Sequence, residues 1–325
     1  MNIVYAAVIV AFAVGVHALR QYLMTVEQAP KNHEVFSGKL FKVGQAIVAY
    51  RPAKAEATAT VIAMPGFLED HRYFTALYNE PDVELLLINS CNYHPPVIPC
   101  NPKPCGFFNR LGFQEGSIEY DAAVLNWVAE NLVTTKNIRL HGHSRGGAVV
   151  LEAIKQQPGL HQANEVVLES PVLPQAKGYP PLELALGAVG LYFLPLTSPI
   201  IKRIPAGLYA PLLFRPINSR KATLLGGMFH NPKNYKTIID NVHFLSEWMD
   251  GNDLSIYKDV HKGTILIGEK DTVLDRSSML ASALKGGDNI RVVETKNTSH
   301  FVSLDTPEVV PPIERVSDLL VKESV

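Results

Sequence analysis

The sequence predicts an α/β architecture: a mostly parallel sheet flanked by helices, with a helical cap inserted before the last two strands. Three observations carry this. Four short apolar runs, "ATVIAMPG" ending at Gly66, "VELLLINS" (83–90), "NIRLHGHS" (137–144) and "EVVLESPV" (165–172), are continuous rather than alternating. Strands buried on both faces of a parallel sheet read that way. Helical patterns fall between and after them, notably "IEYDAAVLNWVAENLV" (118–133) and "RGGAVVLEAIKQQ" (145–157), and alternation of strand and helix implies parallel pairing. The regularity then stops over 173–262 and resumes at "GTILIGEKD" (263–271).

Composition bounds the function. The chain has 325 residues, 47% hydrophobic and 19% charged, enough for one large α/β core with an insertion and inconsistent with disorder. The 30 Lys and Arg balance 31 Asp and Glu with no basic block, which excludes the electrostatic footprint of a nucleic-acid binder. There are no internal repeats and no low-complexity tract.

In chain order, residues 1–24 come first, as an N-terminal transmembrane anchor or signal-like segment. "IVYAAVIVAFAVGVHAL" (3–19) is apolar on every face, which argues against a helix packed in a core. It spans about 25 Å, at the short end for a bilayer. "VHA" at 16–18 resembles a cleavage site, yet no Lys or Arg precedes the run. A single-pass membrane anchor is the favoured reading, with its sidedness open. Arg20, Lys31, Lys39 and Lys42 follow the span and favour a cytoplasmic domain. The only cysteines, Cys91, Cys100 and Cys105, fall in "CNYHPPVIPCNPKPC", where a Cys100–Cys105 disulfide would imply an oxidising compartment. Finger-like metal spacing is lacking there.

"KLFKVGQAIVAYRPA" reads as a strand pair around Gly44. The α/β core is expected over 36–172 and 263–325, and the cap over 173–262. The cap is very apolar and interrupted by Pro195, Pro199, Pro205 and Pro211, so short helices ended or kinked by proline fit it better than a second span. A helix near 275–285, a strand at 290–295 and a helix near 306–322 complete the chain.

The chemistry centres on Ser144 in "LHGHSRGGAV". It sits where a buried strand must turn sharply into a helix, which forces a strained backbone and lifts the hydroxyl clear. Gly142 and Gly146 are there because a Cβ at either position would strike the neighbouring strand or helix. A serine hydroxyl needs a base, and the base needs an acid to hold its tautomer. In a sheet of this order the acid follows a late strand and the histidine follows the last one. "GTILIGEKD" ends in Asp271 and "NIRVVETKNTSHFV" delivers His300. Asp275 and Glu169 are rival acids, and Asp271 has an alternative role as a helix cap. His141 and His143, two apart on a strand, lack a third nearby ligand for zinc, and His143 fits better as packing at the turn. "EDHR" (69–72) reads as a solvated helix start.

Together "GHSRGG", "GEKD" and "SHFV" resemble the α/β-hydrolase fold superfamily, over roughly residues 36–322. The resemblance implies Ser144 as nucleophile, His300 as general base and Asp271 as orienting acid. It also implies an oxyanion hole from the Arg145 N–H and a second N–H after "VIAMPGF". Members usually carry His-Gly there; with Pro65-Gly66 in that place, Phe67 is the second donor and the Leu68 N–H the alternative. Epoxide hydrolases and haloalkane dehalogenases of the fold use aspartate, so a serine favours acyl chemistry. The apolar cap suits an acyl chain, with Leu191, Phe193, Tyr209 and Phe214 as substrate-binding candidates. The expected activity is that of a serine esterase, lipase or lysophospholipase on lipid-like esters. An acyltransferase using the same triad and a noncatalytic membrane-tethered binding protein are the alternatives. The resemblance implies neither metal nor organic cofactor.

Overall fold

The structure is a computed structural model that describes residues 2–26, 33–93, 97–98, 100–106, 112–181, 187–225 and 235–313. Its strands are β1 (Glu34–Val35), β2 (Lys39–Val43), β3 (Ala46–Arg51), β4 (Ala59–Met64), β5 (Val83–Asn89), β6 (Val97–Ile98), β7 (Lys103–Pro104), β8 (Ile138–His143), β9 (Glu165–Glu169), β10 (Gly263–Gly268) and β11 (Ile290–Thr295). Nine of them form one sheet in the order β11-β10-β9-β8-β4-β5-β3-β2-β7, and β1 pairs with β6. Only β3 runs against its neighbours, β2 and β5. The four continuous apolar runs are β4, β5, β8 and β9, and the pair expected around Gly44 is the β2–β3 hairpin, with Gly44 at φ 59°.

Period-two alternation divides the core. Along β4, Ile62 and Met64 face a cluster with Leu86, Ile88 and Leu140, while Val61 and Ala63 face a second one with Leu85, Leu87 and Phe74. Both sides are therefore covered, which is why β4 is apolar on both faces past Thr60, whereas β8 turns the buried Arg139, His141 and His143 to one side. The first side is covered by α2 (Ile118–Asn131) and α3 (Arg145–Gln156), followed by the single turn α4 (Pro158–His161). Ser117 caps α2 by accepting the Tyr120 N–H at 3.1 Å. The Arg145 guanidinium ties α3 to α2: it donates to Asp121 Oδ2 at 2.6 Å and to the Gly116 carbonyl at 3.0 Å, with both charged side chains fully buried.

Between β9 and β10 lie α5 (Ala188–Ile201), α6 (Ala206–Leu213), α7 (Ser219–Leu225) and α8 (Tyr235–Gly251). Pro205 is the N-cap residue of α6, and Pro211 lies inside that helix. Pro195 and Pro199 lie inside α5 without ending it; each removes one N–H donor, and α5 remains too short, at 14 residues, to cross a bilayer. The buried Lys221 of α7 bonds Asp305, Ser299 Oγ and the Pro216 carbonyl, pinning this segment to the loop after β11. The N-terminal α1 (Asn2–Leu23) projects from the body, and its stretch Ile3–Leu23 is long and apolar enough to cross a membrane.

Two expectations need correction. After α9 (Arg276–Ala283) and β11, the described chain forms only α10 (Val302–Asp305) and a 3-10 turn at Pro307–Val309. Pro307, Pro311 and Pro312 forbid the longer helix at its start; the rest of that expected helix lies outside the described residues. The three cysteines are free, with Cys91 buried and Cys100 exposed, so no disulfide closes the proline-rich loop.

Removing the Arg145 charge leaves Asp121 buried and unpaired. Arg145→Met is therefore expected to cost about 3–5 kcal/mol of stability, read as a lowered midpoint in denaturant unfolding of the full chain.

Candidate active site

Parallel register brings Met64 opposite Gly142 and His143 opposite Glu169. The carboxyl ends of β4, β8 and β9 thus reach the same level, where ligands of open α/β sheets bind. At the end of β8 the chain enters α3 through Ser144, held at φ 52° and ψ −120°. This is a sparsely populated conformation for a non-glycine residue. Its own backbone is the clamp: Ser144 N–H donates to the Glu169 carbonyl, and its carbonyl accepts the N–H groups of Gly147 and Val172, all at 2.9 Å. A Cβ at Gly146 would strike the Met64 carbonyl, and one at Gly142 would strike the Gly146 carbonyl. The α3 N-terminus points its free N–H groups at the same place.

His300 follows β11 as anticipated. Its Nδ1–H donates to Asp271 Oδ2 at 2.7 Å, with both groups buried. Asp271 divides its oxygens. Oδ1 accepts the Val273 and Leu274 N–H groups at 2.8 and 2.9 Å, so the turn-capping role and the contact with histidine coexist. Burial pushes the Asp271 carboxyl up, but the His300 charge and hydrogen bond and the two turn N–H groups hold it below its ordinary value.

Neither rival acid meets His300. Asp275 caps α9 by accepting the Ser278 N–H at 2.8 Å. Glu169 is buried beneath the site, where it accepts the Tyr73 hydroxyl and the Ser303 N–H and lies 3.4 Å from His141 Nε2. Burial raises the Glu169 carboxyl, yet the His141 hydrogen bond and the charges of His143 and His141 bring it down to about 2.

Residues 69–72 are a correction: they are not a solvated helix start. Glu69, His71 and Arg72 are buried, and Asp70 caps the turn His71–Tyr73. Glu69 Oε2 accepts the Gly66 N–H at 2.7 Å and lies 2.7 Å from His143 Nδ1. His143 Nε2 lies 2.9 Å from the His300 carbonyl. Each ring nitrogen faces an acceptor, Glu69 Oε2 on one side and the His300 carbonyl on the other, so His143 can donate from both. Tyr73 stacks on its ring at 4.3 Å between centroids. Burial alone would lower His143; the charge and hydrogen bond of Glu69 outweigh it and raise the ring to about 9. No local pattern marked this pair, since its members are 74 residues apart; the nearest signal was the position of Glu69 beside the Gly66 loop.

Glu69, His143 and His300 bring one ligand atom each within 4.8 Å of one another. The short Glu69–His143 contact is a hydrogen bond that leaves no room for zinc between its atoms. His141 Nδ1 bonds the Tyr78 hydroxyl and its Nε2 lies 3.4 Å from Glu169 instead of joining His143.

A cavity of about 390 Å3 opens beside Ser144 and Phe67. Apolar side chains dominate its wall, among them Leu191 of α5, Leu245 and Met249 of α8, and Leu274 after β10. Phe193, Tyr209 and Phe214 lie elsewhere. Phe193 is exposed on α5, the Tyr209 hydroxyl donates to the Leu225 carbonyl, and Phe214 packs edge-on against Phe301. Leu191 is thus the one substrate-binding candidate that reaches this cavity. Of the two candidate oxyanion loop donors, the Leu68 N–H donates to the Tyr93 hydroxyl at 3.3 Å, whereas the Phe67 N–H has no partner among the described residues.

No family model and no curated protein sequence matches the chain. Solved structures do. A protein assigned as a lipase from Acinetobacter baumannii AYE is similar over 94% of both chains at 14% identity, with a TM-score of 0.61. An esterase from Exiguobacterium antarcticum covers 88% of this chain and 98% of its own at 15% identity and TM-score 0.55. A membrane phospholipase A, a bacterial virulence factor, is similar over 94% of both chains at 15% identity and TM-score 0.53. The chain has the α/β-hydrolase fold.

Folding lifts His143 from an ordinary 6.5 to about 9. Its contribution to stability is fully present below pH 6.5 and is lost as pH rises through about 9. Across that window wild-type stability should fall more steeply with pH than that of Glu69→Gln, as read by urea unfolding at a series of pH values. Equal slopes would refute the ion pair.

Proposed function

We propose that this α/β-hydrolase is a membrane-anchored serine esterase that cleaves lipid-like carboxylic esters through an acyl-enzyme. The observation that carries the reading is the buried Asp271–His300 hydrogen bond at the level of the strained Ser144. A histidine serving only to fill its loop has no use for a buried carboxylate on one nitrogen. His300 lies beside the serine turn, its ring 4.9 Å between centroids from that of His143, the residue before Ser144.

In this reading Asp271 accepts a hydrogen bond from Nδ1–H, which keeps the proton on Nδ1 and presents the unprotonated Nε2 of His300 as the base. Ser144 Oγ attacks the ester carbonyl carbon while its proton passes to Nε2. The carbonyl oxygen becomes an oxyanion, met by the N–H groups of Arg145 and Phe67, each worth about two to three orders of magnitude in turnover. Collapse breaks the bond to the alkoxy oxygen, which leaves with the Nε2 proton. Water then gives a proton to Nε2 and attacks the acyl-serine, releasing the acid and restoring Ser144. The Arg145 side chain takes no part, because its guanidinium is committed to Asp121.

The apolar cavity supports a substrate with an acyl chain, such as a monoacylglycerol or a lysophospholipid. The helices of 173–262 act as the cap over it, and α1 supports residence at a membrane. No metal or organic cofactor enters the reaction.

Ser144→Ala should lower turnover of p-nitrophenyl esters by about six orders of magnitude and abolish labelling by a fluorophosphonate. Asp271→Asn should lose about four orders through the wrong histidine tautomer. Rates rising from acetate toward palmitate would support a lipid ester; full activity in Ser144→Ala would end the proposal.

A further inference from the structure

We infer that the exposed apolar face of α5 and α6 is a second membrane-contact surface, seating the cap in the interfacial layer of a bilayer containing anionic phospholipid. The inference rests on α1 being the anchor proposed above.

Geometry comes first. The 22 residues of α1 measure about 33 Å, close to the roughly 30 Å of a hydrocarbon core. A helix of this length uses all of itself in crossing, so its last two turns run up to the membrane surface. Those turns are docked on α5. The Arg20 Nε–H donates to the Tyr192 carbonyl at 2.9 Å, and the guanidinium sits 4.7 Å over the Tyr192 ring. His17 Nδ1 lies 2.9 Å from the Tyr192 hydroxyl, and Met24 packs in one cluster with Leu191, Leu194 and Phe67. The cap is thereby held against the foot of the anchor.

Its outer face is built for lipid. Beyond α1, ten large apolar side chains are exposed among the described residues, and six of them fall between Val189 and Leu212. Val189, Leu208 and Leu212 are 73%, 70% and 79% exposed, and Phe193, Ile200 and Ile204 accompany them. Scattered apolar residues need no explanation, but a concentrated patch beside a membrane helix does. Residues 187–218 also hold Lys202, Arg203 and Arg215 and no Asp or Glu. An apolar face edged by cations is the chemistry of helices that lie in an anionic lipid interface. A second copy of the chain would bring those like charges together.

The same helix walls the cavity. Gly187, Ala188 and Leu191 line it, while Val189 and Phe193 look outward. An ester held in the outer lipid layer would therefore meet α5 on one side and Ser144 on the other.

The test uses the full chain in vesicles of phosphatidylcholine with phosphatidylglycerol. Single cysteines at positions 189, 208 and 212, in a background with Cys100 and Cys105 replaced by serine, carry an NBD label; labels at Val10 and Lys285 serve as references. Lipids bearing a shallow nitroxide should quench the three cap labels several-fold more than the Lys285 label, increasingly with phosphatidylglycerol. Quenching at Val10 alone overturns the inference and leaves the anchor standing. Quenching at neither site overturns both. Self-quenching between labelled copies without nitroxide quenching assigns the face to a protein contact and also overturns it. In parallel, Leu208→Asp/Leu212→Asp should cut hydrolysis of a vesicle-borne ester at least tenfold and leave p-nitrophenyl acetate turnover in detergent unchanged. Loss of both activities in this variant would count against the inference. If wild type hydrolyses neither ester, the esterase reading fails while the quenching result still decides the surface.

Discussion

A buried imidazolium at position 143 joins three loops that the chain supplies from distant places. Through Glu69 it fixes the Gly66 turn, through its own strand it fixes Ser144, and through its other nitrogen it fixes the backbone at His300. Without both protons one of those acceptors would face a lone pair. An isolated charge at this depth would be prohibitive, so the carboxylate and the ring must be buried together. Tyr73 on its flat face and Phe301 close by keep water from the pair. The spacing between the loop that carries the Phe67 N–H and the loop that carries His300 is therefore set by one hydrogen-bonded bridge, with the serine turn as its middle.

Much of this frame was legible in the sequence. Strands buried on both faces announce themselves by unbroken apolar runs, and the contact between Asp271 and His300 was foreseeable because each residue follows a strand end, as Ser144 does. What resisted reading was whatever depends on side chains far apart along the chain. Glu69 sits in a run of charged residues that looks solvated until the fold folds it under the site. No local pattern marks Lys221, which is enclosed by Asp305, Ser299 and a carbonyl. The apolar insertion was legible as short helices, but not in what each side chain meets. Leu191 reaches the cavity, Phe193 the exterior and Phe214 the core face beside Phe301, three fates that hydrophobicity alone does not distinguish.

The fold by itself leaves the reaction open, since one scaffold hosts many chemistries. The particular side chains narrow it. The proposed acyl chemistry draws on a strained serine, an oriented histidine and a Phe67 N–H that has no partner among the described residues, all beside an apolar cavity. In α5 three tasks meet on fourteen residues: one side walls the cavity, another docks α1, and a third remains uncovered. Movement of this helix would be felt at all three.

Glu169 stands close to the position an alternative acid would take, and that proximity constrains the history open to this chain. The carboxylate is already the shared acceptor of Tyr73 and Ser303 and the neighbour of His141. Turning it toward His300 would strand those donors in a dry interior. A lineage that lost Asp271 would thus find no easy detour through the spare acid next door; it would first have to rewrite the layer beneath. The arrangement behaves as a ratchet, in which a carboxylate committed to the layer beneath forecloses the obvious substitute for the one that holds His300.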